Sequence, residues 1–255
     1  VAPPVGDLRW KPPQPVTPWS ETLQCTEFKP IAPQSTLGDL PPFPQLFPSS
    51  EDCLHLNVLT PAKKTTDKLP VMVWMHGGGY QLGSASDPLG NTPRLPQHGV
   101  VLVNVNMRLN AIGLLSHPLL SRESPKGVSG NYMLWDMLAA LQWVQKNIAA
   151  FGGDPENVTI FGESGGGAKV ANLMASPLAK GLFHRAICES GTSVGLFMPG
   201  KPLKELEAMG ERFFARLGVD KEKDPLAAAR ALPWERVVEA DSALIRELAM
   251  FGPAG

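Results

Sequence analysis

A chain of 255 residues with 43% hydrophobic content is long enough to fold as one large domain with a substantial core. Its 23 basic and 24 acidic residues are spread along the sequence for a formal net charge of -1, which argues against nucleic acid or an anionic membrane as partner. No apolar run approaches the length of a bilayer span, and the first residues lack a basic stretch followed by an apolar one, so a soluble chain without a legible address is expected.

Residues 1–48 hold twelve of the 26 prolines, paired at Pro3-Pro4, Pro12-Pro13 and Pro41-Pro42. Proline fixes φ and removes an N–H, so this density excludes regular helix and predicts an extended meander over the surface. Trp10, Trp19, Phe28, Phe43 and Phe47 are spaced through it as anchors on a core, a reading favoured over a polyproline ligand for another domain. Leu54, Leu56 and Val58 then alternate with His55 and Asn57, as in a half-buried strand. The apolar runs 71–75 and 100–105 do not alternate, which is the pattern of strands covered on both faces by helices. They imply a central parallel sheet.

From Asn131 onward, Leu134, Met137, Leu138, Leu141, Val144 and Ile148 recur at three- and four-residue steps until Gly152-Gly153. That predicts a long amphipathic helix with Asn131 as its N-cap. Residues 158–161 and 186–189 read as two more short strands. Beyond them, 203–217, 225–232 and 233–250 read as helices rich in Ala, Glu, Lys and Arg. Strand and helix alternate first and helices follow alone, which predicts an α/β core and then the start of a helical insertion. Cys25, Cys53 and Cys188 are too few and too scattered for a disulfide framework or a metal site; between a Cys25–Cys53 bridge and buried free thiols, free thiols are preferred.

The stretch 157–175, NVTIFGESGGGAKVANLMA, carries the chemistry. An apolar strand drives into Gly162-Glu163-Ser164-Gly165-Gly166, and a helix of small residues follows at once. Gly-x-Ser-x-Gly is a common accident in a chain with 25 glycines, but between a strand and a helix it is the layout of a nucleophile elbow, with Ser164 as candidate nucleophile. A hydrolytic serine also needs a base, an acid to orient the base, and donors aimed at the oxyanion. His76-Gly77-Gly78-Gly79 follows the apolar run 71–75, where a glycine loop can bring backbone N–H groups over the serine without a Cβ in the way.

With these motifs in hand, the chain resembles the type-B carboxylesterase and lipase family, the group of the carboxylesterases, para-nitrobenzyl esterase, the cholinesterases and the non-enzymatic neuroligins. The matching stretches are PPVGDLRWKPPQPVTPW near the start, SEDCLHLNV at 50–58, HGGGY at 76–80, GNYMLWDMLAALQWVQKNIAAFGGDPENVTIFGESGGG at 130–167 and GLFHRAICESG at 181–191. They follow the order and spacing of the family's N-terminal half. The resemblance implies an incomplete α/β-hydrolase fold, with a mostly parallel sheet, helices on both faces and the start of a helical insertion. It also implies Ser164 as catalytic nucleophile and the N–H groups of Gly78, Gly79 and Gly165 as oxyanion hole, with Glu163 in a structural role and Arg108 paired with Asp136. The expected division is a Pro-rich meander over 1–50, a catalytic core over 51–191 and a helical segment over 192–255. No cofactor or metal is expected, and the expected partners are small-molecule carboxylic esters and the remaining C-terminal part of the same enzyme.

The sequence departs from the family in places. Ala32-Pro33-Gln34 stands where the family often has Cys-Pro-Gln, so Cys53 lacks the partner it has in secreted members, and Cys25 lies too early to replace it. That favours a cytoplasmic, bacterial-type protein over a secreted one. Met107, Met133 and Met137 replace the more typical Tyr, Gly and Gln, and Gly165 replaces the commoner Ala. Of His55, His76, His98, His117 and His184, only His184 follows Ser164, and it matches a structural position. The base and acid are therefore expected beyond residue 255, the chain reads as a fragment, and the piece alone is expected to be inactive. The alternative is a non-catalytic, cholinesterase-like adhesion module.

Overall fold

The computed structural model describes residues 1–34, 47–88, 90–191 and 200–251. Its strands are β1 (Leu56–Leu59), β2 (Leu69–Met75), β3 (Val101–Val105), β4 (Gly153–Glu163) and β5 (Arg185–Glu189). They form a sheet in the order β1-β3-β2-β4-β5, antiparallel between β1 and β3 and parallel elsewhere. The sequence expectation of double coverage holds for β3, all five of whose residues are buried. In β2 only Val71, Val73 and Met75 are fully buried; Trp74 faces the other way and packs on Phe161 at 4.9 Å between centroids. β5 is the edge of the described sheet and is mostly exposed, with Ile187 42% accessible.

The helices are α1 (Asn110–Leu114), α2 (Pro118–Glu123), α3 (Tyr132–Asn147), α4 (Gly165–Ala175), α5 (Leu203–Leu217), α6 (Pro225–Ala231) and α7 (Trp234–Phe251). α3 forms where the apolar steps place it and buries Met133, Met137, Leu138, Leu141 and Val144 in the sheet's core. Asn131 precedes it but does not cap it with its side chain. It sits in the left-handed region (φ 55, ψ 27), a conformation Asn tolerates, so it makes the turn into the helix instead. α1 and α2 escape the periodic pattern because they are one or two turns long. α2 starts on Pro118, with the His117 ring accepting from the Leu119 N–H at 3.0 Å.

A second core lies beside the sheet, where Phe213, Phe214, Leu217, Val237 and Val238 of α5 and α7 pack with Ile112, Leu120 and Trp10. Trp10 is the meander's anchor, 1% exposed, with its indole N–H donating to the Ala111 carbonyl at 2.9 Å. Arg9 beside it grips Glu51 with two 2.6 Å bonds and reaches the carbonyls of Ala229 and Leu232 at the end of α6. Trp19 and Phe28 are 58% and 45% exposed and do not anchor anything in the core. Phe28 meets the half-buried Phe47 edge-on, and Phe43 lies outside the described residues. All three cysteines are free thiols; Cys53 is buried, whereas Cys25 and Cys188 are exposed.

Asp241 of α7 docks this helical layer on the sheet domain, bonding the Ala111 backbone and the Gln81 side chain. Its Oδ2 is buried without a partner, and burial raises its carboxyl from the ordinary 3.8 to about 6 against those two bonds. A group whose folded-state pKa is raised contributes stability that is full below 3.8 and is lost as pH rises through about 6. Asp241→Asn removes the charge, so at pH 7.5 it is expected to gain about 1–3 kcal/mol in guanidinium unfolding. The gain is expected to vanish at pH 4, and an equal gain at both pH values would show that the charge is not its source.

Among the described residues no helix is long and apolar enough to cross a membrane, and no group of His, Cys, Asp or Glu is placed to hold a metal ion.

Candidate active site

β2 and β4 are hydrogen-bonded neighbours, with Trp74 opposite Phe161 and Met75 opposite Gly162. Because they run parallel and in register, the loops that leave their C-terminal ends emerge side by side, at the end where open α/β sheets form their clefts. The loop after β2 is His76-Gly77-Gly78-Gly79, and the turn after β4 carries Ser164.

Ser164 has φ 55 and ψ -122, a conformation L-residues rarely adopt. Its N–H donates to the Glu189 carbonyl at 2.8 Å, and its own carbonyl accepts the first bond of α4 from Ala168 at 3.1 Å. The spacing of the glycines follows from contact distances. A Cβ on Gly162 would lie 2.6 Å from the Gly166 and Met75 carbonyl oxygens, and one on Gly166 would lie 2.0 Å from the Met75 oxygen. Gly191, the last residue of the matching stretch 181–191, is equally constrained: its Cβ would meet the Ser164 carbonyl at 2.0 Å. The Ser164 side chain is exposed, at the positive end of the α4 dipole.

The glycine loop lies against this turn. A Cβ on Gly165 would be 2.8 Å from the Gly79 nitrogen, and one on Gly77 would be 3.6 Å from the Ser164 Cβ. Of the residues singled out in the sequence, Ser164, Gly79 and Gly165 are thus in direct juxtaposition. Gly78 sits one peptide away at φ 90, with the Leu82 backbone filling the place of a side chain. The Gly78 carbonyl accepts from the N–H groups of Gln81 and Leu82 at 2.9 and 3.1 Å. The meander reaches the same loop, because Gln34 exchanges two bonds with the Gly83 backbone at 2.9 and 3.1 Å.

Beneath the loop are two titratable groups: His76, which the sequence marked only as the first residue of the glycine motif, and Lys169, which it did not single out. His76 is 2% exposed; burial and then the nearby Lys169 charge hold its pKa well below the ordinary 6.5. Its Nδ1 faces the Gly77 carbonyl at 3.0 Å, so Nδ1 carries the proton, and Nε2 is buried without a partner. Lys169 of α4 is fully buried; its Nζ donates to the His76 carbonyl at 2.8 Å and lies 5.7 Å from the Tyr80 ring centroid. Burial alone lowers its pKa to about 7. The signal was its place between Gly166 and Leu173, at core-facing helical steps.

A sequence model described as the carboxylesterase family matches residues 1–253. The chain belongs to the carboxylesterase family. It is 47% identical over 212 residues to fumonisin B1 esterase of Sphingopyxis macrogoltabida, covering 82% of this chain and 38% of that protein. To para-nitrobenzyl esterase of Bacillus subtilis it is 47% identical over 193 residues, with 75% and 38% covered. Among solved structures, a PNB esterase superposes with TM-score 0.82 at 40% identity, over 95% of this chain and 48% of that one. Juvenile hormone esterase from Manduca sexta, with OTFP covalently attached, superposes with TM-score 0.83 at 34% identity, over 98% and 46%. The chain therefore spans less than half the length of these esterases, and its mostly parallel sheet with flanking helices is an incomplete α/β-hydrolase fold.

His184 has the structural role expected of it. Its N–H donates to the Val158 carbonyl at 2.8 Å and its Nδ1 accepts from the Val158 N–H at 3.2 Å, which ties the entry of β5 to β4. Among the described residues no side chain hydrogen-bonds the Ser164 hydroxyl.

Proposed function

We propose that this chain is part of a carboxylic ester hydrolase that forms an acyl-enzyme on Ser164. The observation that carries the reading is the strained serine turn at the end of β4 with the glycine loop packed on it, in a chain of the carboxylesterase family. Ser164 attacks the ester carbonyl, the alcohol leaves, and water releases the acid from the acyl-enzyme. The N–H groups of Gly78, Gly79 and Gly165 stabilise the oxyanion of each tetrahedral intermediate. Gly165 serves as well as the commoner Ala, since the donor is its backbone N–H.

On this reading the general base and its acid belong to the rest of the enzyme, because the chain spans less than half the length of its relatives and no described residue contacts the serine hydroxyl as a base. Without a base a serine is a weak nucleophile, and this piece alone turns over little ester. The substrates are small-molecule carboxylic esters, and chemistry of this kind requires no cofactor.

Labelling by an organophosphorus probe tests the reading. A fluorophosphonate is expected to modify the full-length protein once, on the peptide that contains Ser164, and to leave Ser164→Ala unmodified. Equal labelling of both proteins would refute the assignment, and absence of labelling in the folded full-length protein would favour a non-catalytic module.

A further inference from the structure

We propose that Lys169 is a positioning residue for the glycine loop, holding the His76 carbonyl so that the peptides after it keep their N–H groups turned toward the space above Ser164. This rests on the reading of Ser164 and the loop given above.

The geometry of three successive peptides carries the inference. The His76 carbonyl accepts from Lys169 Nζ at 2.8 Å. The Gly77 carbonyl faces His76 Nδ1 at 3.0 Å. The Gly78 carbonyl accepts from Gln81 and Leu82. Every carbonyl from residue 76 to 78 is thus held by a donor inside the protein. In a trans peptide the N–H points opposite to the C=O, so fixing these three oxygens turns the N–H groups of Gly77, Gly78 and Gly79 the other way. Gly77, Gly78 and Gly79 have the conformational freedom of glycine and no side chains of their own to restrain them.

Of these donors Lys169 alone comes from a distant part of the chain, since His76, Gln81 and Leu82 all lie in the segment that leaves β2. It projects from α4 one turn after Gly166, whose Cα is pressed against the Met75 and His76 carbonyls. The helix that begins at Ser164 therefore holds the loop at two successive turns, by close backbone contact and then by the lysine arm, and ties the serine and the loop into one unit. Besides the His76 carbonyl, the ammonium meets the Tyr80 ring, 5.7 Å from its centroid. It is fully buried, and among the described residues no carboxylate pairs with it. A buried, unpaired amine lowers stability, and its pKa of about 7 reflects that. A methionine of similar length would fill the space without that penalty.

The test is made in the full-length protein with Lys169→Met and Lys169→Leu side by side, either one being sufficient if folded. The folded variant is expected to melt no lower than the parent. Its KM for a p-nitrophenyl ester is expected to stay within about threefold, while kcat falls about 10- to 100-fold, the scale set by misplacing one oxyanion donor. Affinity for a trifluoromethyl ketone, whose adduct with the serine carries an oxyanion, is expected to fall by the same factor as kcat. A merely structural lysine would change stability and leave kcat per folded molecule and ketone affinity alone, so a kcat within twofold of the parent would overturn the proposal. Ser164→Ala separates the two readings: activity in that variant removes the site itself, whereas an inactive Ser164→Ala beside an unimpaired Lys169→Met removes only the role of Lys169.

Discussion

Alanine at Ser164 is expected to lower kcat of the full-length protein by about ten-thousand- to a million-fold on a p-nitrophenyl ester, leaving the fold intact. The magnitude is that of removing a covalent nucleophile whose base and oxyanion donors act with it as a unit, and the residual rate is what donors and binding supply alone. The backbone at this position adds a second, independent expectation. With φ 55 and ψ -122, Ser164 occupies a conformation that costs on the order of 1–3 kcal/mol for any residue with a Cβ. Alanine keeps that Cβ and keeps the strain. Glycine removes it, at the cost of greater freedom in the unfolded chain, so Ser164→Gly is expected to exceed Ser164→Ala in stability by about 1 kcal/mol in guanidinium unfolding. Both variants should be inactive. A loss of activity below about a hundredfold in Ser164→Ala would mean that the ester is cleaved elsewhere, and equal stability of the two variants would mean that the elbow is not strained.

That contrast bears on why the elbow was legible. Glycines at 162 and 166 are required by contacts of 2.6 and 2.0 Å to neighbouring carbonyls, and such steric exclusions write themselves into sequence as residue identities. The unalternating run at 100–105, apolar except for Asn104, was legible for a similar reason, since a strand covered on both faces admits few polar side chains. Other features depend on partners far away in the sequence. Trp10 and Trp19 look alike in a proline-rich stretch; one is 1% exposed because Ala111 and Phe214 are there to receive it, and the other is 58% exposed. Lys169 reads as a solvated helix residue until the His76 carbonyl is placed above it, and Asp241 reads as one face of a charged helix until Gln81 and Ala111 surround it. In each case the missing information is tertiary, and single-sequence periodicity carries only the faint trace of a polar residue at a core-facing step.

The Arg108–Asp136 pair was legible through the family resemblance, and the structure makes it the site of the largest expected stability effect. Arg108 Nε and Nη2 bond the Asp136 carboxylate at 2.8 and 2.6 Å, with the two side chains 0% and 1% exposed. The carboxylate also accepts the Arg108 backbone N–H at 3.0 Å, and Arg108 Nη1 reaches the Lys11 carbonyl, so the pair fastens the exit of β3 to α3 and to the meander. Asp136→Ala leaves a buried guanidinium without a counter-charge and an N–H without an acceptor. It is expected to cost about 3–5 kcal/mol, a large part of the stability of an ordinary domain. The pair itself is worth much less than that, because both charges were desolvated to form it. Arg108→Met/Asp136→Asn removes both charges and keeps an oxygen for the Arg108 N–H, so it is expected to lie within about 2 kcal/mol of the parent. Guanidinium unfolding of the parent, Arg108→Met, Asp136→Asn and the double variant closes a cycle that gives the coupling directly. Strong non-additivity, with the double variant more stable than Asp136→Ala alone, is the expected result. If the losses simply add, the two groups act independently, and the link between β3 and α3 rests on the surrounding apolar contacts rather than on the ion pair.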